Sequence, residues 1–195
     1  MPIPAPTERT RMPAVEGYGL VSRLNHWLTA AAFLAALETG LVIDHAGLAD
    51  EQVFALYDWH MLFGTFVLLY GLWRVGWRVA KGFPASAAPI PRWQEIASRA
   101  VHLGLLGTIA IMPISGVLMT VSGGFDVAVW GVVLVPSIGE VEGLNAAAGA
   151  VHWILSFVIL GLLALHIGAA LKHHLVDRDP TLDRMTTGRS TSAPR

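Results

Sequence analysis

The sequence predicts an all-α protein, an integral membrane four-helix bundle with both termini in the cytoplasm. Three observations predict this fold class. Hydrophobic residues make up 54% of the chain, charged residues only 14%, and the mean hydropathy is +0.56, whereas soluble domains carry about 25% charge. Four apolar runs each come near the roughly 20 residues that a helix needs to cross a bilayer. The Lys and Arg residues cluster at alternate connections between these runs, which is the pattern of an oriented membrane protein.

The apolar runs cover roughly residues 24–43, 57–79, 100–121 and 148–171. We expect each to be a helix, because an open sheet would leave backbone polar groups unsatisfied in lipid. The first run is long for a signal peptide, and Glu38 and Asp44 make a poor cleavage region, so we expect a retained span. The apolar segment 125–136 is too short to cross the bilayer. It is expected to lie on the membrane surface or to cap the bundle.

The chain is expected to form one membrane domain with a polar segment at each end. Residues 1–16 contain four prolines and are predicted to be a mobile N-terminal tail. Residues 17–175 are predicted to form the four-helix transmembrane domain, and residues 176–195 a C-terminal cytoplasmic tail. The absence of cysteine excludes disulfides, iron–sulfur ligation, Cys-type zinc sites and covalent attachment of c-type haem.

The basic residues predict the orientation of the chain. All thirteen fall before the first run, at the connection of runs two and three, or after run four: Arg9, Arg11, Arg23, Arg74, Arg78, Lys81, Arg92, Arg99, Lys172, Arg178, Arg184, Arg189 and Arg195. The other two connections carry only acids: Asp44, Asp50, Glu51, Asp58, Asp126, Glu140 and Glu142. An excess of Lys and Arg marks the cytoplasmic side of a membrane protein. Both termini are therefore expected to be cytoplasmic.

Four histidines lie within the apolar runs, where ionisable side chains are costly and are functional candidates by default. His152 and His166 are fourteen residues apart, just under four helical turns, so their side chains share nearly one face about 21 Å apart along the axis. In the predicted orientation His26 lies at the inner end of its helix and His60 at the outer end of the next. Matching by depth pairs His26 with His166 and His60 with His152.

Two histidines at each of two depths favour two haem irons. Imidazole binds ferrous and ferric iron, and two axial ligands close the coordination shell, which favours electron transfer over oxygen binding. Zinc is the competing metal, but it usually takes three or four protein ligands. Each histidine taken alone can also be explained as an interfacial polar residue without a ligand role.

Further residues near the inner ends of the helices are candidates for cofactor contacts. His102 is the main rival for a place in the inner pair, or a contact of a haem propionate or a quinone. His173 is a candidate propionate contact or a solvated interfacial residue. Arg23 and Arg74 are candidate propionate partners, because guanidinium binds carboxylates bidentately. The topology signal accounts for the same two arginines equally well.

The sequence resembles the bacterial cytochrome b561 family, which is related to the cytochrome b subunits of nickel–iron hydrogenases. The resemblance covers roughly residues 18–185, and the most specific stretches are the last one and the proline segment of the third run. The matching stretches are SRLNHW at 22–27, DWHMLFG at 58–64, LWRVGWR at 72–78, IAIMPISGVLM at 109–119, VHW at 151–153 and ALHIGAALKHHLVDRDPTLDRM at 164–185.

The resemblance implies a multi-pass protein of the bacterial inner membrane that binds two b-type haems non-covalently. The ligands carried over are His26, His60, His152 and His166, the same set that depth matching selects. The implied function is electron transfer between an outer-side donor and the quinone pool of the respiratory chain. The expected partners are membrane lipid, quinone and either a cationic outer-side redox donor or a partner subunit. No nucleic-acid partner is expected.

Other functions remain open from the sequence. The chain could be the membrane anchor and electron-conduit subunit of a partner oxidoreductase, such as a dehydrogenase or hydrogenase, with no reaction of its own. Small members of the family are thought to include superoxide:quinone oxidoreductases. The acidic outer connections would repel an anionic substrate, which argues against that reaction here. A haem-free transporter that uses the same histidines is a third, weaker alternative.

Overall fold

The computed structural model describes residues 17–82, 86 and 89–188. The tail predicted over residues 1–16 lies outside the described residues, as do four of the basic residues used for the orientation, namely Arg9, Arg11, Arg189 and Arg195.

In chain order the described part of the molecule forms α1 (Leu20–His45), α2 (Asp50–Lys81), α3 (Arg92–Ser122), β1 (Val127–Val129), β2 (Val132–Val135), α4 (Glu142–Lys172) and α5 (Thr181–Thr186). A turn of π-helix, His173–Asp177, continues α4. Helices α1 to α4 are long and apolar enough to cross a membrane. The predicted all-α membrane four-helix bundle is therefore confirmed.

Each membrane helix is longer than the apolar run that predicted it, and α2 shows the reason. Its first turn carries Asp50 and Glu51, and its last turn carries Arg78 and Lys81. Acids near the N-terminus and bases near the C-terminus complement the helix dipole, so the polar flanks continue the helix beyond the apolar run. The helix ends at Gly82, whose φ of +69° is a conformation that glycine adopts without a steric penalty.

Helix α3 runs through Pro113, which is buried in the bundle. Proline has no N–H to donate to the carbonyl four residues earlier, at Ile109. Membrane helices tolerate such a break where neighbouring elements surround it. The Ile109 side chain occupies the space in which a Cβ on Gly71 of α2 would lie, so this glycine lets α2 and α3 approach closely.

The buried core is a thin apolar layer to which all four membrane helices contribute. Its members are Ala32, Phe33, Val67, Ile109 and Ile159. Ile159 lies midway between His152 and His166, about 10 Å from each along the helix axis. Most large apolar side chains outside this layer are exposed, as expected for helices whose outer faces contact lipid. The layer thus separates two ends of the bundle.

Strands β1 and β2 form an antiparallel hairpin at the end of the bundle where α2 begins, which we call the outer end. The turn residues Trp130 and Gly131 have φ values of +46° and +80°, as a two-residue type I′ turn requires. The backbone N–H of Trp130 donates to Asp58 of α2 (2.8 Å), and the two residues of β1 that face the bundle are buried. The apolar segment 125–136, which was predicted to lie on the membrane surface or to cap the bundle, therefore forms a hairpin that caps the outer end.

At the opposite, inner end, α5 folds back against the start of α1. The indole N–H of Trp27 donates to the carbonyl of Met185 (3.1 Å), and the buried guanidinium of Arg184 lies 5.2 Å from the centre of the Tyr18 ring. Part of the segment predicted as a C-terminal tail is therefore folded onto the bundle.

A hydrogen-bonded turn between α4 and α5 holds α5 in this position. Asp179 accepts hydrogen bonds from the ring Nδ1 of His173 (2.6 Å) and from the backbone N–H of Thr181 (2.9 Å). Lys172 forms an ion pair with Asp177 (2.6 Å), which itself lies 3.2 Å from His173 Nδ1. Lys172 thus adds a positive charge beside the two carboxylates of Asp177 and Asp179.

Candidate metal centres

The four histidines of the apolar runs come together in two pairs, one at each end of the bundle. The rings of His60 and His152 form the outer pair, with centroids 6.1 Å apart and ring planes at 76°. The rings of His26 and His166 form the inner pair, with centroids 6.1 Å apart and ring planes at 68°. The two pairs therefore share one separation and a steeply crossed ring geometry.

Both rings of the outer pair donate from Nδ1 to a backbone carbonyl of a neighbouring helix. His60 Nδ1 lies 2.9 Å from the carbonyl oxygen of Ala36 on α1, and His152 Nδ1 lies 3.0 Å from that of Met112 on α3. A carbonyl oxygen can only accept, so each Nδ1 carries the proton. The other nitrogen, Nε2, then holds the lone pair, which is the tautomer that a histidine ligand to a metal adopts.

A cavity of about 370 Å³ lies beside the outer pair. Both imidazoles line it, and it reaches from the hairpin to the apolar layer of the core. Other lining residues include Gly40, Gly116, Val127 and Ile159. The volume is within the range of cofactor and ligand sites in proteins.

The inner pair has different hydrogen bonds. One guanidinium nitrogen of Arg74 donates to His26 Nδ1 (3.0 Å), and another donates to Oδ1 of Asn25 (2.8 Å). Because guanidinium has no acceptor, Nδ1 of His26 must hold the lone pair in this contact. The tautomer of His26 is thus opposite to that of His60 and His152. Arg74, predicted as a propionate partner, lies directly at the inner pair.

A third histidine ring, that of His102, lies next to the inner pair. The centroid of His102 lies 5.2 Å from that of His166, and its Nδ1 donates to the carbonyl of Ser98 (2.7 Å). His102 therefore has the ligand tautomer, whereas His26 has the separation found in the outer pair.

The remaining predicted residues lie at the inner surface. A guanidinium N–H of Arg23 donates to the carbonyl of Thr186, which ties Arg23 to α5. Within the described part of the chain, Nε of Arg23 and Nδ2 of Asn25 are buried and have no hydrogen-bond partner. His173, considered as a propionate contact, is held by Asp179 in the turn before α5.

Three residues at the paired histidines were not predicted from the sequence. These are Asn25, which holds Arg74, and two hydroxyls, Thr39 and Ser115, which lie 3.3 Å and 3.1 Å from Nδ1 of His60 and His152. A signal for the hydroxyls exists, because each precedes a glycine within an apolar helix, at 39–40 and 115–116.

Comparison with known proteins identifies the family. A family model described as prokaryotic cytochrome b561 matches residues 17–188. The chain is 32% identical to "Cytochrome b561 homolog 2" of Escherichia coli (strain K12) over 178 residues, which cover 91% of this chain and 94% of that protein. It is 29% identical over 102 residues to "Cytochrome b561 homolog 1" of the same organism, covering 52% and 58% of the two chains. The chain therefore belongs to the prokaryotic cytochrome b561 family, the multi-pass bacterial membrane proteins that carry b-type haem and transfer electrons.

Proposed function

We propose that this protein is a dihaem cytochrome b of the bacterial inner membrane that transfers electrons between an outer-side donor and quinone. The observation that carries the proposal is the common centroid separation of 6.1 Å in both histidine pairs. An imidazole–metal bond is about 2 Å and the ring centroid lies about 1 Å beyond the bound nitrogen, so two rings on opposite sides of one metal are about 6 Å apart. Haem b, when bound, supplies a one-electron iron couple.

The outer pair supports binding of the first haem. The carbonyls of Ala36 and Met112 hold His60 and His152 in the tautomer that presents Nε2 as the ligand atom. The adjoining cavity is mostly apolar in its lining, which suits a porphyrin face. An apolar, low-dielectric site of this kind is one of the means by which a protein sets the reduction potential of haem.

The inner pair, His26 and His166, is proposed to hold the second haem, with Arg74 and Arg23 as propionate partners. Two buried donors, Nε of Arg23 and Nδ2 of Asn25, have no partner among the described residues, which supports an acidic group here, because an unpaired buried donor is costly. Binding of iron through Nε2 of His26 requires that Arg74 give up its bond to Nδ1. The freed guanidinium is then available to a carboxylate.

The charge map supports a cytoplasmic location for both termini and a cationic donor at the outer end. The outer connections carry acids and no Lys or Arg. Such a surface attracts a positively charged redox partner and repels superoxide. Quinone would exchange electrons at the inner end, where the basic residues and His102 lie.

The proposal is tested by metal and haem analysis of the purified protein. We expect two irons and two b-type haems per chain, reduction by a cationic donor, and reoxidation by a soluble quinone analogue. His152→Ala and His166→Ala should each lose one haem, whereas His45→Ala, at the exposed end of α1, should keep both. Purified protein that binds zinc, or contains no haem, would contradict the proposal.

One observation favours a second candidate, the electron-conduit subunit of a larger oxidoreductase. All four residues of β2 are exposed on the outer hairpin, and each is a valine or leucine. Exposed apolar surface of this kind often marks a binding site for another protein or for lipid. Purification as a stable complex with a dehydrogenase or hydrogenase subunit would support this candidate. Quinone reduction by the isolated chain would argue against it.

A further inference from the structure

The two outer histidines lie against helices that do not carry them, and the contacts have the same pattern. On α1, the ring of His60 contacts Ala36, Thr39 and Gly40. Its Nδ1 lies 2.9 Å from the Ala36 carbonyl oxygen and 3.3 Å from Thr39 Oγ1. A Cβ placed on Gly40 would lie 3.0 Å from Cε1 of the ring, closer than nearly all real contacts of that kind.

On α3, the ring of His152 contacts Met112, Ser115 and Gly116 in the same way. Its Nδ1 lies 3.0 Å from the Met112 carbonyl oxygen and 3.1 Å from Ser115 Oγ. A Cβ on Gly116 would again lie 3.0 Å from Cε1 of the ring. Both helices thus present a carbonyl at position i, a hydroxyl at i+3 and a glycine at i+4, which share one helical face. We call each such set a cradle.

The hydroxyls in the cradles act as acceptors for the rings. The Thr39 hydroxyl donates to the carbonyl of Ala35 (2.8 Å), and the Ser115 hydroxyl donates to that of Met112 (2.7 Å). Each hydroxyl proton is therefore already used, and an oxygen lone pair remains for the ring N–H. The Nδ1 proton of each outer imidazole is consequently shared between a carbonyl and a hydroxyl. At the inner end, His26 instead accepts from Arg74.

We propose that Thr39–Gly40 and Ser115–Gly116 are positioning pairs that fix the tautomer and the crossed orientation of His60 and His152, and so set the reduction potential of the outer haem. The inference rests on the proposed dihaem function. The hydroxyl accepts the ring proton, and the glycine leaves room for the Nδ1–Cε1 edge of the ring to approach the helix. A hydrogen bond at the second ring nitrogen raises the basicity of a histidine ligand, which stabilises the ferric state.

The test uses Ser115→Ala and Thr39→Val, with Ser122→Ala as the matched control. Ser122 is also a buried serine of α3, but its hydroxyl donates to Leu118 and makes no contact with a histidine. Optical redox titration and electron paramagnetic resonance of the ferric protein resolve the two centres. We expect the potential of the outer centre to rise in both variants and its low-spin signal to change. The inner centre and the Ser122→Ala protein should remain as wild type.

Conservative exchange provides a rescue. Thr39→Ser and Ser115→Thr each keep a hydroxyl at the same position. Compared with Thr39→Val and Ser115→Ala, both should therefore have an outer signal close to that of wild type. If Ser115→Ala and Thr39→Val bind two haems and match Ser122→Ala in potential and signal, the inference is wrong, as it is if the outer potential falls. A wild-type protein with fewer than two haems would instead overturn the proposed function.

The glycines give an independent measurement. Gly40→Ala and Gly116→Ala place a methyl group against Cε1 of a ligand ring, so we expect loss of the outer haem, one of the two per chain, with the inner spectrum unchanged. Gly143→Ala at the start of α4, where nothing lies within 4 Å of the added carbon, should keep both haems. Two bound haems with an unchanged outer signal in both cradle variants would count against the inference.

Discussion

Histidines lie at both ends of the bundle, but Nδ1 is a hydrogen-bond donor in the outer pair and an acceptor in His26 of the inner pair. His60 and His152 donate from Nδ1 to carbonyl oxygens, and His26 accepts at Nδ1 from Arg74. Since guanidinium is always a donor, the identity of one neighbour decides which ring nitrogen of His26 carries the proton. In the proposed function, the outer rings would bind iron through Nε2 without rearrangement, whereas His26 would do so only after Arg74 moves.

The inner pair yields a prediction at the residue scale, because two rings compete to pair with His166. The His26 ring lies 6.1 Å from it and the His102 ring 5.2 Å. Only the longer separation leaves room for an iron with two bonds of about 2 Å. We expect His26→Ala to lose the inner haem, one of two per chain, and His102→Ala to retain both. Haem quantification of the purified variants measures this, and the opposite result would make His102 the ligand.

The level of each histidine follows from the sequence, but its neighbours do not. The lengths of the apolar runs and the distribution of basic residues between the connections give the depth of His26 and His166, because the rise per residue of a helix is constant. The rotation of each helix about its axis is set by tertiary packing, so the contact of Arg74 with Asn25 and His26 could not be derived. The roles of Thr39 and Ser115 were missed for the same reason, since a hydroxyl beside its own helix carbonyl usually has no partner elsewhere.

At the element scale, the turn before α5 depends on one carboxylate. Burial tends to raise the pKa of Asp179, but the hydrogen bonds from Thr181 and His173 outweigh it, so the pKa lies below its ordinary value of 3.8. A carboxyl whose pKa is lower in the folded state stabilises that state at pH values above its unfolded pKa. Its contribution is lost as the pH falls below 3.8 and through the lowered pKa. Lys172 and Asp177, which also lie at this turn, contact each other.

We therefore predict that Asp179→Ala loosens α5. Loss of a side-chain acceptor at a helix start costs about 0.5–2 kcal/mol, so exchange of the α5 amides should become several-fold faster at neutral pH. Asp179→Asn keeps an oxygen for the Thr181 N–H but loses the charge and the second oxygen, which accepts from His173, so its exchange should be intermediate. Hydrogen exchange with mass spectrometry measures both effects. Equal exchange in all three proteins would show that the turn does not hold α5.

The predicted elements differ from the observed ones mainly at their ends. Apolar runs identify the part of a helix that lies in hydrocarbon, which is why all four membrane helices were found. The polar turns beyond the runs are fixed by dipole and capping effects that hydropathy does not measure. Helix α5 lies in the polar segment that was predicted to be a tail. It has only six residues, too few to be stable alone, and it forms through packing against α1.

At the scale of the whole molecule, the two ends differ in charge as well as in hydrogen bonding. The described basic residues lie at the inner end, with the connection of α2 and α3 and the segment after α4, while the outer end carries the hairpin and the acids. This asymmetry would give each of the two proposed haems a distinct environment, and it predicts a direction of the protein in the membrane. The proposed donor and quinone ends both depend on that direction.

The direction is tested with single cysteines, for which the chain is well suited because it contains none. Ala46 follows α1 at the outer end, and Ser86 lies in the connection of α2 and α3; both are exposed. If basic residues mark the cytoplasmic side, a membrane-impermeant maleimide should label Ala46→Cys in spheroplasts. It should label Ser86→Cys only after the inner membrane is opened, and wild type not at all. The reverse pattern would exchange the donor and quinone ends, because His60 and His152 would then lie on the cytoplasmic side.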